Sequence, residues 1–118
     1  MTARPVRRVE LLQGTLDLLI LRTLALGSAH GHAIAKHIQR TSEELLQVET
    51  GSLYPALHRL EAQGWVTASW DQSEKGKRAR YYELTKLGRA QLAGEQSKWT
   101  ALSRAMNLIL NSSREVKE

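Results

Sequence analysis

The 118-residue chain has no cysteine, no phenylalanine and only two prolines. The first absence excludes disulfides and every metal site that needs a thiolate, and it fits a reducing compartment. The second leaves the core to leucine, isoleucine, valine and alanine, because aromatic residues make up only 5% of the chain. Long apolar runs are missing too. The opening stretch MTARPVRRVELLQGTLDLLILRTLALGSAHG offers basic residues, an apolar segment and then small residues, as a secretion signal would. However, Glu10 and Asp17 precede the apolar segment and Arg22 cuts it after Leu21. A signal core needs about 7–15 apolar residues and a membrane span roughly 20. The expectation is a soluble, cytoplasmic protein. Catalytic signatures are also lacking: there is no glycine-rich phosphate loop, no nucleophile motif and no convincing carboxylate pair. Neither an enzyme nor a cofactor is expected.

What the chain does have is positive charge. Lys and Arg number 17 against 12 Asp and Glu, a formal net charge of +5. That balance favours an anionic partner such as nucleic acid. The length suits one domain with a modest core. Residues 1–10, with Arg4, Arg7 and Arg8, read as a flexible basic arm, and residues 11–84 read as the folded domain. Thr15 is a candidate N-cap for a first helix, with Asp17 in its first turn. Leu16, Leu18, Leu19, Ile20, Leu21, Leu24 and Leu26 spread around that helix and predict burial on most sides before Gly27 ends it. A second helix spans about residues 32–41, with Ile34 and Ile38 one turn apart.

The stretch VETGSLYPALHRLEAQGWV, residues 48–66, predicts a third helix. Proline is tolerated in a helix's first turn, so Pro55 favours Ser52 as the N-cap, with Thr50 the alternative. Gly64 is the stop. Leu53, Ala56, Leu57 and Leu60 share one side. Ser52, Pro55, His58, Arg59 and Ala62 share the other, with Tyr54 at the border. Residues 65–70 and 79–84 then read as two strands of a hairpin, joined by a loop rich in cations: Lys75, Lys77, Arg78 and the nearby Arg80, opposed by Asp71 and Glu74. Thr85 caps a last helix carrying Leu87, Leu92, Trp99, Leu102, Met106 and Ile109, on which Gly94 and Glu95 interrupt the N-terminal half of the apolar seam. Trp99 and Met106, like Leu102 and Ile109, lie one heptad apart, forming an a/d seam.

Three short helices, a basic hairpin and a long helix define the fold class: mainly α with a small β-hairpin, a winged helix-turn-helix plus a long C-terminal helix. In that architecture the third helix enters the major groove and the wing meets the backbone beside it. Ser52, Tyr54, Pro55, His58 and Arg59 are then the candidate DNA-facing residues of the helix, with Arg59 pairing with guanine. Lys75, Lys77, Arg78 and Arg80 are the wing's phosphate contacts. The apolar seam of Leu92, Trp99, Leu102, Met106 and Ile109 in residues 85–118 predicts a two-fold dimer. Two Trp99 rings near the dimer axis could hold a flat aromatic effector, although an apolar a position usually packs as core. No metal is expected, because His32 and His37 are five residues apart and diverge on a helix.

The segments LQGTLDLLILRTLALGSAHGHAIAKHI, VETGSLYPALHRLEAQGWV and RARYYELTKLGRAQL together resemble the PadR family of bacterial transcriptional regulators. The most specific part is GSLYPALHRLE followed by YYELTKLG at the family's distance. The resemblance implies a dimeric repressor acting on a palindromic operator, often released by a small molecule. It also implies a recognition helix over residues 52–63, with Tyr54 where the family has a backbone-contacting tyrosine. The single C-terminal helix matches the family's short subgroup. Two other readings compete: a winged helix used as a protein-interaction module, and a metabolite sensor defined by its ligand. Steep salt dependence of duplex binding separates the first of these from a DNA-binding protein.

Overall fold

The computed structural model describes residues 13–72 and 75–117. The basic arm expected over residues 1–10 lies outside them. Seven elements follow in chain order: α1 (Gln13–Leu24), β1 (Ala29–His30), α2 (Gly31–Thr41), α3 (Thr50–Ala62), β2 (Val66–Gln72), β3 (Arg78–Leu84) and α4 (Lys86–Leu110). The hairpin pairs Val66 with Leu84 at its base and Gln72 with Arg78 at its tip. A third strand, unanticipated from sequence, lies along the other side of β3, with Ala29 opposite Tyr82 and His30 opposite Tyr81. The sheet order is therefore β1-β3-β2.

One core gathers the apolar sides of all the helices. Leu16, Ile20, Leu21 and Leu24 of α1 meet Ile34 and Ile38 of α2 and Leu53, Ala56, Leu57 and Leu60 of α3. Val66, Tyr82 and Leu84 close it from the sheet. As expected, α1 is central: it packs on α2, α3 and α4, and Leu18 and Leu19 lie partly buried against the core. Leu26 is the exception, exposed beyond the helix end.

The helix ends are built differently from the sequence reading. Because α1 already starts at Gln13, Thr15 and Asp17 lie inside it rather than at its cap. The cap of α2 is His30, whose Nδ1 accepts the Ala33 N–H at 3.2 Å. Neither Ser52 nor Thr50 caps α3, which starts at Thr50 after an extended Glu49 that makes no side-chain cap bond. Pro55 therefore sits past the first turn. The carbonyl that its missing N–H would have met belongs to Gly51, at the exposed start of the helix where water can satisfy it. The end of α3 follows expectation. Gly64 adopts φ 76°, and the N–H groups of Trp65 and Gly64 return to the carbonyls of Leu60 and Glu61, both at 3.0 Å.

Thr85 caps α4 as predicted, accepting the Gly88 N–H at 2.9 Å while donating to the Gly64 carbonyl at 2.7 Å. That double role ties the stop of α3 to the start of α4. At Gly88 the first turn of α4 lies against the chain itself. A methyl group there would collide with the Trp65 carbonyl oxygen and stand 2.7 Å from Leu84 Cδ1. Helix α4 runs unbroken for 25 residues. Among the described residues, no helix is long and apolar enough to cross a membrane.

Candidate nucleic-acid interface

The outer side of α3 carries Ser52, Tyr54, Pro55 and His58, all exposed, while the four predicted apolar residues are buried beneath. With Ser52 not capping the helix, its hydroxyl joins this exposed surface. Tyr54 leans onto the first residue of α2. A Cβ on Gly31 would lie 2.8 Å from the Tyr54 hydroxyl oxygen and 2.9 Å from Cε1. Glycine at position 31 is thus what lets the tyrosine ring lie across the start of α2.

Arg59 does not project freely from this surface, as the helical projection had it. Its Nη2 donates to Asp17 Oδ1 of α1 at 2.9 Å. Its Nε is buried and finds no hydrogen-bond partner among the described residues. Burial raises the Asp17 carboxyl above the usual aspartate value, against the hydrogen bond and charge of Arg59, which both lower it. In this structure Arg59 therefore ties α3 to α1. Arg80 is committed in the same way. Its Nη2 reaches both carboxylate oxygens of Glu61, at 3.0 and 2.8 Å, and its guanidinium lies 5.8 Å from the Tyr82 ring centre. This joins the wing to α3.

The remaining wing cations, Lys75, Lys77 and Arg78, are exposed. Arg78 lies over the exposed Trp70 ring at 4.9 Å, a contact that steadies its guanidinium. Sequence reasoning missed the contribution of α2. His32, Lys36 and Arg40 share a cleft with the wing and Tyr54. The signal was present, since Lys36 and Arg40 are four apart on the side of α2 away from Ile34 and Ile38.

On α4 the predicted seam divides. Leu92 belongs to the core of the single chain, 7% exposed, and is not available to a partner. It lies close enough to the helix start to pack on the domain. Trp99, Leu102, Met106 and Ile109 lie beyond the domain's reach and are 48–73% exposed.

The profile of the transcriptional regulator PadR-like family matches residues 20–94, which span α1 to the first turns of α4. The chain belongs to the PadR-like family. Members of that family are transcriptional regulators, not enzymes, and act on DNA. The chain is 33% identical over 95 residues to the transcriptional regulator Rv3488 of Mycobacterium tuberculosis, covering 80% of this chain and 85% of that one. A PadR family transcription regulator from hypervirulent Clostridium difficile is 31% identical, with TM-score 0.71 over 81% of this chain and 98% of the other. A Streptococcus mutans structure that is 22% identical shares the fold over 98% of this PadR-like chain and all of its own, with TM-score 0.78.

Proposed function

We propose that this PadR-like protein is a cytoplasmic repressor that binds, as a two-fold dimer, an operator of two inverted half-sites. The observation that carries the reading is the division of the surface. The exposed outer side of α3 is flanked by cations that make no ion pair among the described residues, and α4 carries an exposed apolar stripe beyond the domain core. Base edges ask for the first, phosphates for the second and a partner copy for the third. In this reading Ser52, Tyr54, Pro55 and His58 face the major groove, and Lys75, Lys77 and Arg78 meet the backbone. Trp99, Leu102, Met106 and Ile109 bury against the same residues of the partner.

The test is selection of duplexes from a randomised library by the purified protein. The expected result is a palindrome whose half-sites are centred roughly one helical turn, or a multiple of it, apart. Transcription from a promoter carrying that sequence should fall when the protein is added. Duplexes recovered without any shared sequence would overturn the reading.

A second reading concerns regulation. Trp99 is half exposed beside Ser103, Arg104 and Asn107 on α4, which supports an aromatic effector held between two copies. Saturable quenching of Trp99 fluorescence by planar phenolic or cationic compounds, with Trp65 and Trp70 replaced, is the expected signature. No saturable response from either class would leave Trp99 as interface core.

A further inference from the structure

We infer that the cleft between α2 and the wing seats a segment of one DNA strand's backbone in each half-site, with Lys36 and Arg40 as its phosphate ligands on the α2 side. The inference rests on the DNA-binding reading above and assigns phosphate contact to an element outside the recognition helix and wing. The cleft has a volume of about 780 Å³ and opens to solvent. Lys36 and Arg40 of α2 line it together with Tyr54, with Lys75, Lys77 and Arg78 of the wing, and with Arg80, which is held by Glu61. No carboxylate lines it among the described residues.

The distribution of ion pairs decides which cations are free to act. Arg59 is held by Asp17 and Arg80 by Glu61. Lys36 and Arg40 make no ion pair among the described residues, and the third pair, Lys98–Glu95, lies away on α4. Five like charges around one cleft repel each other, and an arriving anion relieves that repulsion. Lys36 and Arg40 lie one turn apart on α2, about 6 Å along its axis, so both can address one strand. Cations from two elements around an open mouth suit a continuous polyanion passing through better than an enclosed small molecule. Lysine and arginine on a helix and a hairpin also suit phosphate, which needs charge and reach more than a fixed donor pattern.

The test uses the full chain, the duplex that the wild type selects from a random library, and a scrambled duplex of equal length. The Lys36→Gln/Arg40→Gln variant should bind both duplexes more weakly by a similar factor. Its salt slope should fall by about two units per half-site, and its base preference should not change. Lys36→Arg/Arg40→Lys, which keeps the charges, should restore the slope. Methylphosphonate substitution along each strand should then weaken wild-type binding at one or two positions per half-site to which the glutamine variant is indifferent. Because the scan also reads on the wild type alone, it stands even if the variant folds poorly. No sensitive position in the wild type, an unchanged slope, or a variant still sensitive at the same positions overturns the cleft assignment while leaving DNA binding intact. A wild type that binds no duplex removes both.

Discussion

At the scale of single residues, ion pairing decides what a side chain is free to do. Arg59, half exposed and held by Asp17, is already satisfied at one end, so Arg59→Met should leave the preferred base sequence unchanged. Its effect on stability should stay within about 1 kcal/mol, since a partly exposed pair is screened by water. Library selection with the variant is the measurement, and a shifted base at any position would show that Arg59 leaves Asp17 for DNA. Asp17 gives this pair a pH signature. Its folded carboxyl binds a proton more readily than the unfolded one, so its contribution favours the fold at low pH. That contribution is lost as pH rises from the ordinary aspartate value through the raised folded one. Denaturant melts of wild type and Asp17→Asn should therefore show the stability difference moving in the wild type's favour as pH falls through that window. Gly31 makes the opposite kind of prediction. Gly31→Ala should push Tyr54 off the start of α2 and weaken operator binding by about 1 kcal/mol per half-site, the worth of one hydrogen bond, with little change in the melting curve.

At the scale of elements, the joint between α3 and α4 has the least room. Gly88→Ala should destabilise the protein by about 1–3 kcal/mol, because the added methyl meets backbone oxygen that cannot turn aside. A chemical melt reads it directly, and a loss under 0.5 kcal/mol would mean that the joint is looser than described. The same level shows what was legible in the sequence and why. The 3.6-residue spacing of Leu53, Ala56, Leu57 and Leu60 placed the buried side of α3 correctly, because it depends only on neighbours in the chain. Two residues are too few to show strand alternation, so β1 could be defined only by its pairing with β3. Pro55 suggests a first turn, yet α3 starts at Thr50, because the Gly51 carbonyl that the proline leaves unbonded is exposed to water. The Asp17–Arg59 pair joins positions 42 apart and needs α1 and α3 already packed. Lys36 and Arg40 look like an ordinary solvated helix side until a wing stands opposite them.

At the scale of the whole molecule the chain is extended. Its radius of gyration is 17.4 Å and its extents are 60 × 38 × 22 Å. A compact chain of this length would have a radius near 13.5 Å, so about 4 Å of excess needs a cause. That cause is α4, in which no residue after Leu92 is buried. Most helical stability in proteins comes from packing of an apolar side, so a partner copy should also stabilise it. Leu102→Glu/Ile109→Glu should sediment as a monomer at micromolar concentration, with lower helical content, where the wild type runs as a dimer. A wild type that sediments as a monomer would overturn the dimer.

The contact of Gly88 with the Trp65 carbonyl has a mechanical consequence. With no side chain to act as a cushion, α4 is seated on the winged domain as an arm on a stiff bearing. The arm runs about 33 Å from Gly88 to Leu110 at 1.5 Å per residue. A tilt of about ten degrees at the bearing would sweep its tip by about 6 Å, slightly more than the distance between two neighbouring turns of the helix. Whatever pries open that small joint would be magnified along the arm, and in the proposed dimer so would the distance between its two winged domains.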